Sequence, residues 1–109
     1  MTVRLTEYAR EDLHAIRAYI ANHLHNPVAA KNTAAKIRNA YARLADNPFI
    51  GTSLASKIDS ETNNRFLVCG KYIIIYRVNN NVVDILRIYN GRQNYVYDIF
   101  NGILDDEEE

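Results

Sequence analysis

The most constraining feature of this chain is the segment from Arg65 to Tyr95, which holds two strongly apolar runs separated by a short polar turn. β-Branched and aromatic residues dominate both runs, and Asn80-Asn81 lies between them. Such runs predict strands, and asparagine tolerates the positive φ that a two-residue hairpin turn requires. Arginine and tyrosine recur around the strands. We therefore expect this segment to carry both the core of a sheet and the functional residues.

Two helices are predicted before this segment. The first covers roughly Ala9 to Leu24, where apolar residues recur at helical spacing and form a single stripe. The second begins at Asn26-Pro27, an N-cap followed by proline at the first helical position, and runs to about Leu44. The short connection predicts an antiparallel helix hairpin. The two apolar faces are Ala9, Leu13, Ile16, Ile20 and Leu24 in the first helix and Ala30, Ala34, Ile37, Tyr41 and Leu44 in the second.

The strands complete an α+β fold. A short strand from Thr2 to Thr6 opens the chain, and three strands near residues 65–69, 71–78 and 82–89 follow an irregular loop. The predicted architecture is an N-terminal strand, an antiparallel helix hairpin, and a three-strand antiparallel meander that completes one sheet.

Charge pairing selects a register for the hairpin. Placing Arg77 opposite Asp84 also sets Ile75 opposite Leu86, Ile73 opposite Ile88, and Tyr72 opposite Tyr89. Both faces of this hairpin are apolar in that register. We expect one face to pack on the helices and the other to be covered by something else, for which a partner protein is one candidate.

The length of 109 residues predicts one domain, covering residues 1–104. The last five residues, Asp105 to Glu109, are all acidic, and without them 13 basic residues face 8 acidic ones. The formal neutrality of the chain thus divides into a basic body and an acidic tail. Such tails are usually disordered and solvated, and the alternative is that the tail shields the basic body.

Several classes of function are disfavoured by composition. No apolar run approaches the ~20 residues that cross a bilayer, and residues 1–7 lack the apolar core of a signal peptide. The single cysteine, Cys69, is typical of a reducing cytosol, so we expect a cytoplasmic protein. One cysteine and three histidines make no zinc ligand set, no glycine-rich phosphate loop occurs, and no cofactor is expected.

The remaining candidates for a functional site are the basic residues and tyrosines in the last third of the chain. Metal-free RNA cleavage needs a base, a proton donor and cations, and arginine, lysine and tyrosine could supply the last two. Structural alternatives exist: Arg77 has a cross-strand acid in Asp84, and Tyr72 and Tyr76 are more often core aromatics than catalysts. Arg92 is harder to explain structurally, because it follows a turn glycine and has no local acid.

The order and spacing of these pieces resemble the RelE/ParE superfamily of type II toxin–antitoxin toxins, over about residues 3–97. The resemblance implies a compact toxin that a cognate antitoxin wraps and holds inactive in an oligomeric complex. It leaves two targets open, DNA gyrase for ParE-like members and mRNA on the ribosome for RelE-like ones. The motifs are Ala9-Arg-Glu-Asp-Leu13, Asn47-Pro48 with Gly51, Gly70-Lys-Tyr-Ile-Ile-Ile-Tyr-Arg-Val78 and Ile85-Leu-Arg-Ile-Tyr-Asn-Gly-Arg-Gln-Asn-Tyr95.

Departures from the family pattern favour gyrase over mRNA. The resemblance implies that ribonuclease members carry a catalytic arginine where this chain has Ile73, and basic residues in a loop that here offers little beyond Lys57. If the chain is a ribonuclease, the implied catalytic residues are Arg65, Arg92 and Tyr95. A third possibility is an inactive relic that only binds its antitoxin. The residues expected to bind the target or the antitoxin are Arg87, Tyr72, Tyr76 and Tyr89.

Overall fold

The computed structural model describes residues 1–53 and 63–91. In this part of the chain five strands form one sheet with the order β1-β5-β4-β3-β2, and β1 is parallel to β5 while all other pairs are antiparallel. This arrangement confirms the predicted α+β architecture and adds the short strand β2. The elements are β1 (Thr2–Leu5), α1 (Glu7–Ala18), α2 (Pro27–Ala42), β2 (Thr52–Ser53), β3 (Asn64–Cys69), β4 (Tyr72–Asn79) and β5 (Val82–Asn90).

Both helices begin where the sequence places a capping side chain. Thr6 Oγ1 accepts a hydrogen bond from the backbone N–H of Ala9, and Asn26 Oδ1 accepts one from Ala29, so each satisfies a donor that the first turn leaves open. Helix α1 continues into a π-helical turn at Tyr19–His23, and α2 ends in a 3₁₀ turn at Arg43–Ala45.

The main core lies between the helix hairpin and one face of the sheet. The predicted helical stripes face this core except at Leu24, which is 52% exposed, and Ala9, Ala34, Ile37 and Leu44 are fully buried. Alanine at the contact positions lets α2 approach its neighbours closely. The sheet contributes Tyr72, Ile74, Tyr76, Val83, Ile85 and Ile88 to the same cluster.

The predicted hairpin register holds only near the turn. Asn80 has a positive φ of 58°, as the two-residue turn requires, and Arg77 lies opposite Asp84. Asp84 forms its 2.7 Å ion pair with Arg4 of β1. The structure thus confirms that Arg77 lies opposite Asp84. It also shows an ion pair between Asp84 and Arg4 of the neighbouring parallel strand.

Beyond Tyr76 the predicted register is wrong, because a β-bulge places one extra residue, Leu86, in β5. Ile75 lies opposite Arg87, Ile73 opposite Tyr89, and Tyr72 opposite Asn90 instead of the predicted Leu86, Ile88 and Tyr89. Thr6 stabilises the bulge, since its hydroxyl is 3.0 Å from the carbonyl oxygens of both Ile85 and Leu86. The chain leaves β1 at this point, so residues about 80 positions apart meet at the bulge.

The bulge redistributes side chains between the faces of the sheet. In the predicted register Ile88 lies on the same face of the hairpin as Ile73 and Ile75, but in the structure it belongs to the core under the helices. On the second face Ile75, Leu86 and Tyr89 form a smaller cluster, with Phe66 and Ile73 packed against it. Ile75 is 0% exposed and Tyr89 is 1% exposed, so this face is not an open apolar patch.

Candidate functional site

The described residues form a groove between the helix hairpin and the turn that joins β3 to β4. We call it the helix-side groove, and its volume is about 850 Å³. Its lining combines apolar residues with exposed basic ones. Its lining residues are Ile20, Leu24, Ala29, Thr33, Lys36, Ile37, Asn39, Ala40, Arg43, Val68, Cys69, Gly70, Lys71 and Tyr72.

Local backbone geometry shapes the two ends of the helix-side groove. At one end the π-helical turn, closed by a 3.2 Å bond from Leu24 N–H to the carbonyl of Tyr19, leaves Leu24 52% exposed. At the other end Gly70 adopts a φ of +60° in the β3–β4 turn, beside Val68, which is 57% exposed. Two large apolar side chains of the groove lining are therefore exposed to solvent and available for contact with a partner.

The rim of the helix-side groove is basic. Lys36 and Arg43 lie seven residues apart on α2 and its 3₁₀ extension, and Lys71 lies in the facing turn, 5.8 Å from the centre of the Tyr72 ring. Among the described lining residues none is acidic. The spacing of seven along α2 is the sequence signal that could have found this rim, because residues i and i+7 share a helix face.

Tyr72 forms part of the wall of this groove. Burial raises the pKa of its phenol above the usual 10.0, and the neighbouring Cys69 thiol raises it further. Tyr72 is therefore neutral at physiological pH and contributes a polar but uncharged tip. Cys69 itself donates a weak hydrogen bond from Sγ to the carbonyl of Lys36 at 3.7 Å, which ties the β3–β4 turn to α2.

A second constellation surrounds Arg87 at the edge of β5 that β1 leaves uncovered. Asp12 of α1 accepts bonds from Arg87 Nε at 2.7 Å and Nη2 at 3.0 Å, and its Oδ2 also accepts the backbone N–H of Ile88 at 2.9 Å. The Arg87 guanidinium lies 4.9 Å from the ring centre of Tyr89 and 5.5 Å from that of Tyr8. With 17% of its side chain exposed, Arg87 joins α1 to the sheet.

Nothing in the sequence identifies Asp12 as a key residue. No local pattern connects it to a residue 75 positions away. β1 ends at Leu5 and pairs with β5 only as far as Ile85. Beyond that point the Asp12 carboxylate accepts the hydrogen bond from the Ile88 N–H, which a longer β1 would otherwise have to satisfy.

Arg65, an expected catalytic residue, makes contacts within the protein. Its Nη2 donates to the carbonyl oxygens of Phe49 at 3.2 Å and Gly51 at 2.8 Å, and its guanidinium lies 5.3 Å from the ring centre of Phe49. These contacts hold the segment before β2 against β3. Phe49 remains 61% exposed and Ile50 47% exposed, so Arg65 supports an apolar protrusion.

The expected binding tyrosines lie mainly in the core. Tyr76 is fully buried, and its hydroxyl accepts the backbone N–H of Gly51 at 2.9 Å. Tyr89 belongs to the second-face cluster and Tyr72 is 7% exposed in the groove wall. Of these three tyrosines, Tyr72 is the one that lines the helix-side groove.

The remaining expected site residues fall outside the described part of the chain. Arg92, Tyr95 and Lys57 all belong to this group, as do the acidic residues 105–109. Within the described residues no cluster of three or more metal-ligating side chains occurs, and no helix there combines the length and hydropathy needed to cross a bilayer.

The arrangement of strands and helices is similar to that of proteins from two toxin–antitoxin systems. A chain of the chromosomal ParDE system from P. aeruginosa matches with a TM-score of 0.69 and 25% identity, over 83% of this chain and 95% of that one. A chain of the RelBE2 toxin–antitoxin complex from Mycobacterium tuberculosis matches with a TM-score of 0.56 and 26% identity, over 82% and 95%. Among curated proteins no sequence matches significantly.

These likenesses indicate the class of protein, a component of a type II toxin–antitoxin system. The sequence profile described as "ParE toxin of type II toxin-antitoxin system, parDE" matches residues 3–95. The chain therefore belongs to the ParE toxin family.

Proposed function

We propose that this ParE-family toxin arrests growth by binding and poisoning DNA gyrase, and that a cognate antitoxin neutralises it. The observation that carries the choice of gyrase is Ile73, at the position where the resemblance implies a catalytic arginine in ribonucleases. Ile73 packs against the apolar cluster of Ile75, Leu86 and Tyr89. The uncharged isoleucine side chain cannot offset the negative charge of a phosphorane. Loss of one positioned group that stabilises such charge costs about 10²–10³ in rate.

The contacts of Arg65 support the same choice. Its Nη2 is shared between two backbone carbonyls, which leaves that donor committed to holding the protein together. A catalytic cation must instead be directed at the position where charge develops. The ParE-like ending from Arg87 to Arg92 adds to this interpretation.

The test compares the two targets in one purified preparation. The toxin, released from its antitoxin and refolded, is expected to inhibit gyrase supercoiling and to accumulate cleaved DNA at micromolar concentration. The same preparation added to a translation reaction is expected to leave mRNA intact. Unchanged gyrase activity together with codon-positioned cuts in mRNA would reverse the assignment. Absence of both effects, with no growth defect on expression, would identify an inactive relic.

The helix-side groove is the surface we propose for the antitoxin. Both solved neighbours come from toxin–antitoxin systems, which supports an antitoxin partner. The exposed Leu24 and Val68 offer apolar contacts, and Lys36, Arg43 and Lys71 favour acidic groups. The groove therefore suits an amphipathic antitoxin segment with apolar residues on one side and acids along its flank.

Reversing two rim charges is expected to weaken antitoxin binding. The double variant Lys36→Glu/Arg43→Glu should raise the dissociation constant by about 100-fold, since each reversed contact removes roughly 1.4 kcal/mol. The matched control is Lys31→Glu/Arg38→Glu, which changes the same helix by the same charge with the same spacing of seven, outside the groove lining. Titration calorimetry would measure both. An equal loss of antitoxin affinity in the two double variants would show a nonspecific charge effect and would contradict the placement of the antitoxin in the helix-side groove.

A further inference from the structure

The solvent side of the helix hairpin carries two rows of basic residues. On α1, Arg10, His14 and Arg17 lie at positions i, i+4 and i+7, and all three are exposed. On α2, Lys31 and Arg38 lie seven residues apart and are also exposed. Because residues at these spacings share a helix face, each helix presents one basic row. We call the two rows together the hairpin basic seam.

The two rows of the hairpin basic seam lie on neighbouring flanks of the helices. Burial raises the pKa of the Tyr41 phenol on α2, and the charges of Arg38 and Arg10 act in the opposite direction. One cation from each helix therefore lies close to this ring. Because the helices are antiparallel and joined by a short connection, the other ends of the rows, Arg17 and Lys31, both lie towards that connection.

Few carboxylates oppose the charge of the hairpin basic seam. Between Asp12 and Asp46 the sequence contains no aspartate or glutamate. In the part of the chain that the structure describes, no ion pair involves a residue of the seam. The exposed acids Glu7 and Glu11 lie in the first half of α1, so the seam is most positive towards the connection between the helices. Its cations are therefore available to an external anion.

The spacing of these cations suits an anion with closely repeated charges. Seven residues span about 10 Å along a helix, and about 10 Å of a DNA duplex carries roughly six phosphates. Each row can therefore reach several phosphates of one duplex. Arg10 keeps most of its N–H donors for such contacts, although its Nη2 donates one bond to the carbonyl of Leu5 at 3.3 Å. Contacts from arginine and lysine to phosphate supply binding that does not depend on base sequence.

We propose that the hairpin basic seam binds the phosphate backbone of duplex DNA without regard to sequence. The inference goes beyond the proposed function, because it concerns the toxin and DNA alone, in the absence of gyrase and antitoxin. The surface is also distinct from the helix-side groove, since Lys36 and Arg43 line that groove whereas Lys31 and Arg38 do not.

The salt dependence of DNA binding tests the proposal, because its slope counts phosphate contacts. For the full chain freed of antitoxin and a fluorescein-labelled duplex, we expect log K to fall with log salt concentration with a slope of about −3.6, the value for four contacts. In Lys31→Glu/Arg38→Glu the slope should become less steep by about 2, and affinity should fall about tenfold or more. Arg17→Glu, on the other helix, should make the slope less steep by about 1. Fluorescence anisotropy from about 50 to about 200 mM sodium chloride measures both quantities.

The matched control is Lys36→Glu/Arg43→Glu, which changes the net charge equally on the groove side of the same helix. It is expected to leave the slope within about 0.5 of the parent value. Equal changes in the two double variants would show a general effect of net charge and overturn the proposal, as would a parent slope no steeper than about −1. An unchanged slope in Arg17→Glu would refute a surface built from both helices. Tighter binding of a duplex RNA of the same sequence would contradict the assignment to DNA.

Discussion

Replacing Asp12 by alanine is expected to lower the free energy of unfolding by about 3 kcal/mol. The carboxylate receives two bonds from Arg87 and one from the backbone N–H of Ile88, and both charged side chains are only 17% exposed. Its removal leaves a largely buried guanidinium and a backbone donor without their acceptor. Urea unfolding followed by circular dichroism would measure the change.

A mutant cycle separates this ion pair from the backbone contact. Arg87→Met removes the charge and keeps apolar volume, so Asp12→Ala should cost less in that background, where no buried cation is left behind. Glu11→Ala, an exposed acid one position earlier on α1, serves as the control and should change stability by under about 0.5 kcal/mol. Equal losses for Asp12→Ala with and without Arg87 would show that the pair contributes nothing to stability.

Replacing Gly51 by alanine is expected to destabilise the protein by about 3 kcal/mol, near the upper range for overpacking. A Cβ atom at this position would lie 2.5 Å from the carbonyl oxygen of Phe66 and 2.5 Å from the hydroxyl of Tyr76. The backbone oxygen cannot rotate away, and a shift of Tyr76 disturbs the core and the bond from Gly51 N–H. Thermal unfolding of the variant would measure the effect.

Gly70→Ala provides a matched glycine control for this prediction. No heavy atom lies within 4 Å of its would-be Cβ, but its φ of +60° is unfavourable for alanine. The expected cost is therefore conformational alone, about 1 kcal/mol. If Gly51→Ala is no more destabilising than Gly70→Ala, the segment before β2 relaxes and the close approach does not matter.

Local features of the sequence predicted most of the fold because their causes are local. Thr6 and Asn26 cap the helices through bonds to residues three positions later, and the apolar stripes follow helical geometry alone. The hairpin turn follows from the tolerance of asparagine for positive φ, confirmed at Asn80. The register near the turn follows from the turn itself, so the pairing of Arg77 with Asp84 was also predictable.

The register farther from the turn was not predictable in this way. The bulge at Leu86 is contacted by Thr6, whose hydroxyl lies 3.0 Å from the carbonyl oxygens of Ile85 and Leu86 although it is about 80 residues away in sequence. A one-residue insertion moves every later side chain to the opposite face, which is why Ile88 lies in the main core and Tyr89 does not. Tyr76 and Tyr89 are buried by tertiary packing, which no local sequence pattern indicates.

By itself the sequence determined the fold class, the ParE-like pattern of residues 3–95, and the separation of a basic body from an acidic tail. These properties are written in short-range spacing and in composition. Tertiary structure alone decided that Arg87 binds Asp12, that Arg65 holds the segment before β2, and that Lys36, Arg43 and Lys71 share one groove. Each of these contacts joins elements that are distant in sequence, and only the packing of helices on a bulged sheet determines their distances.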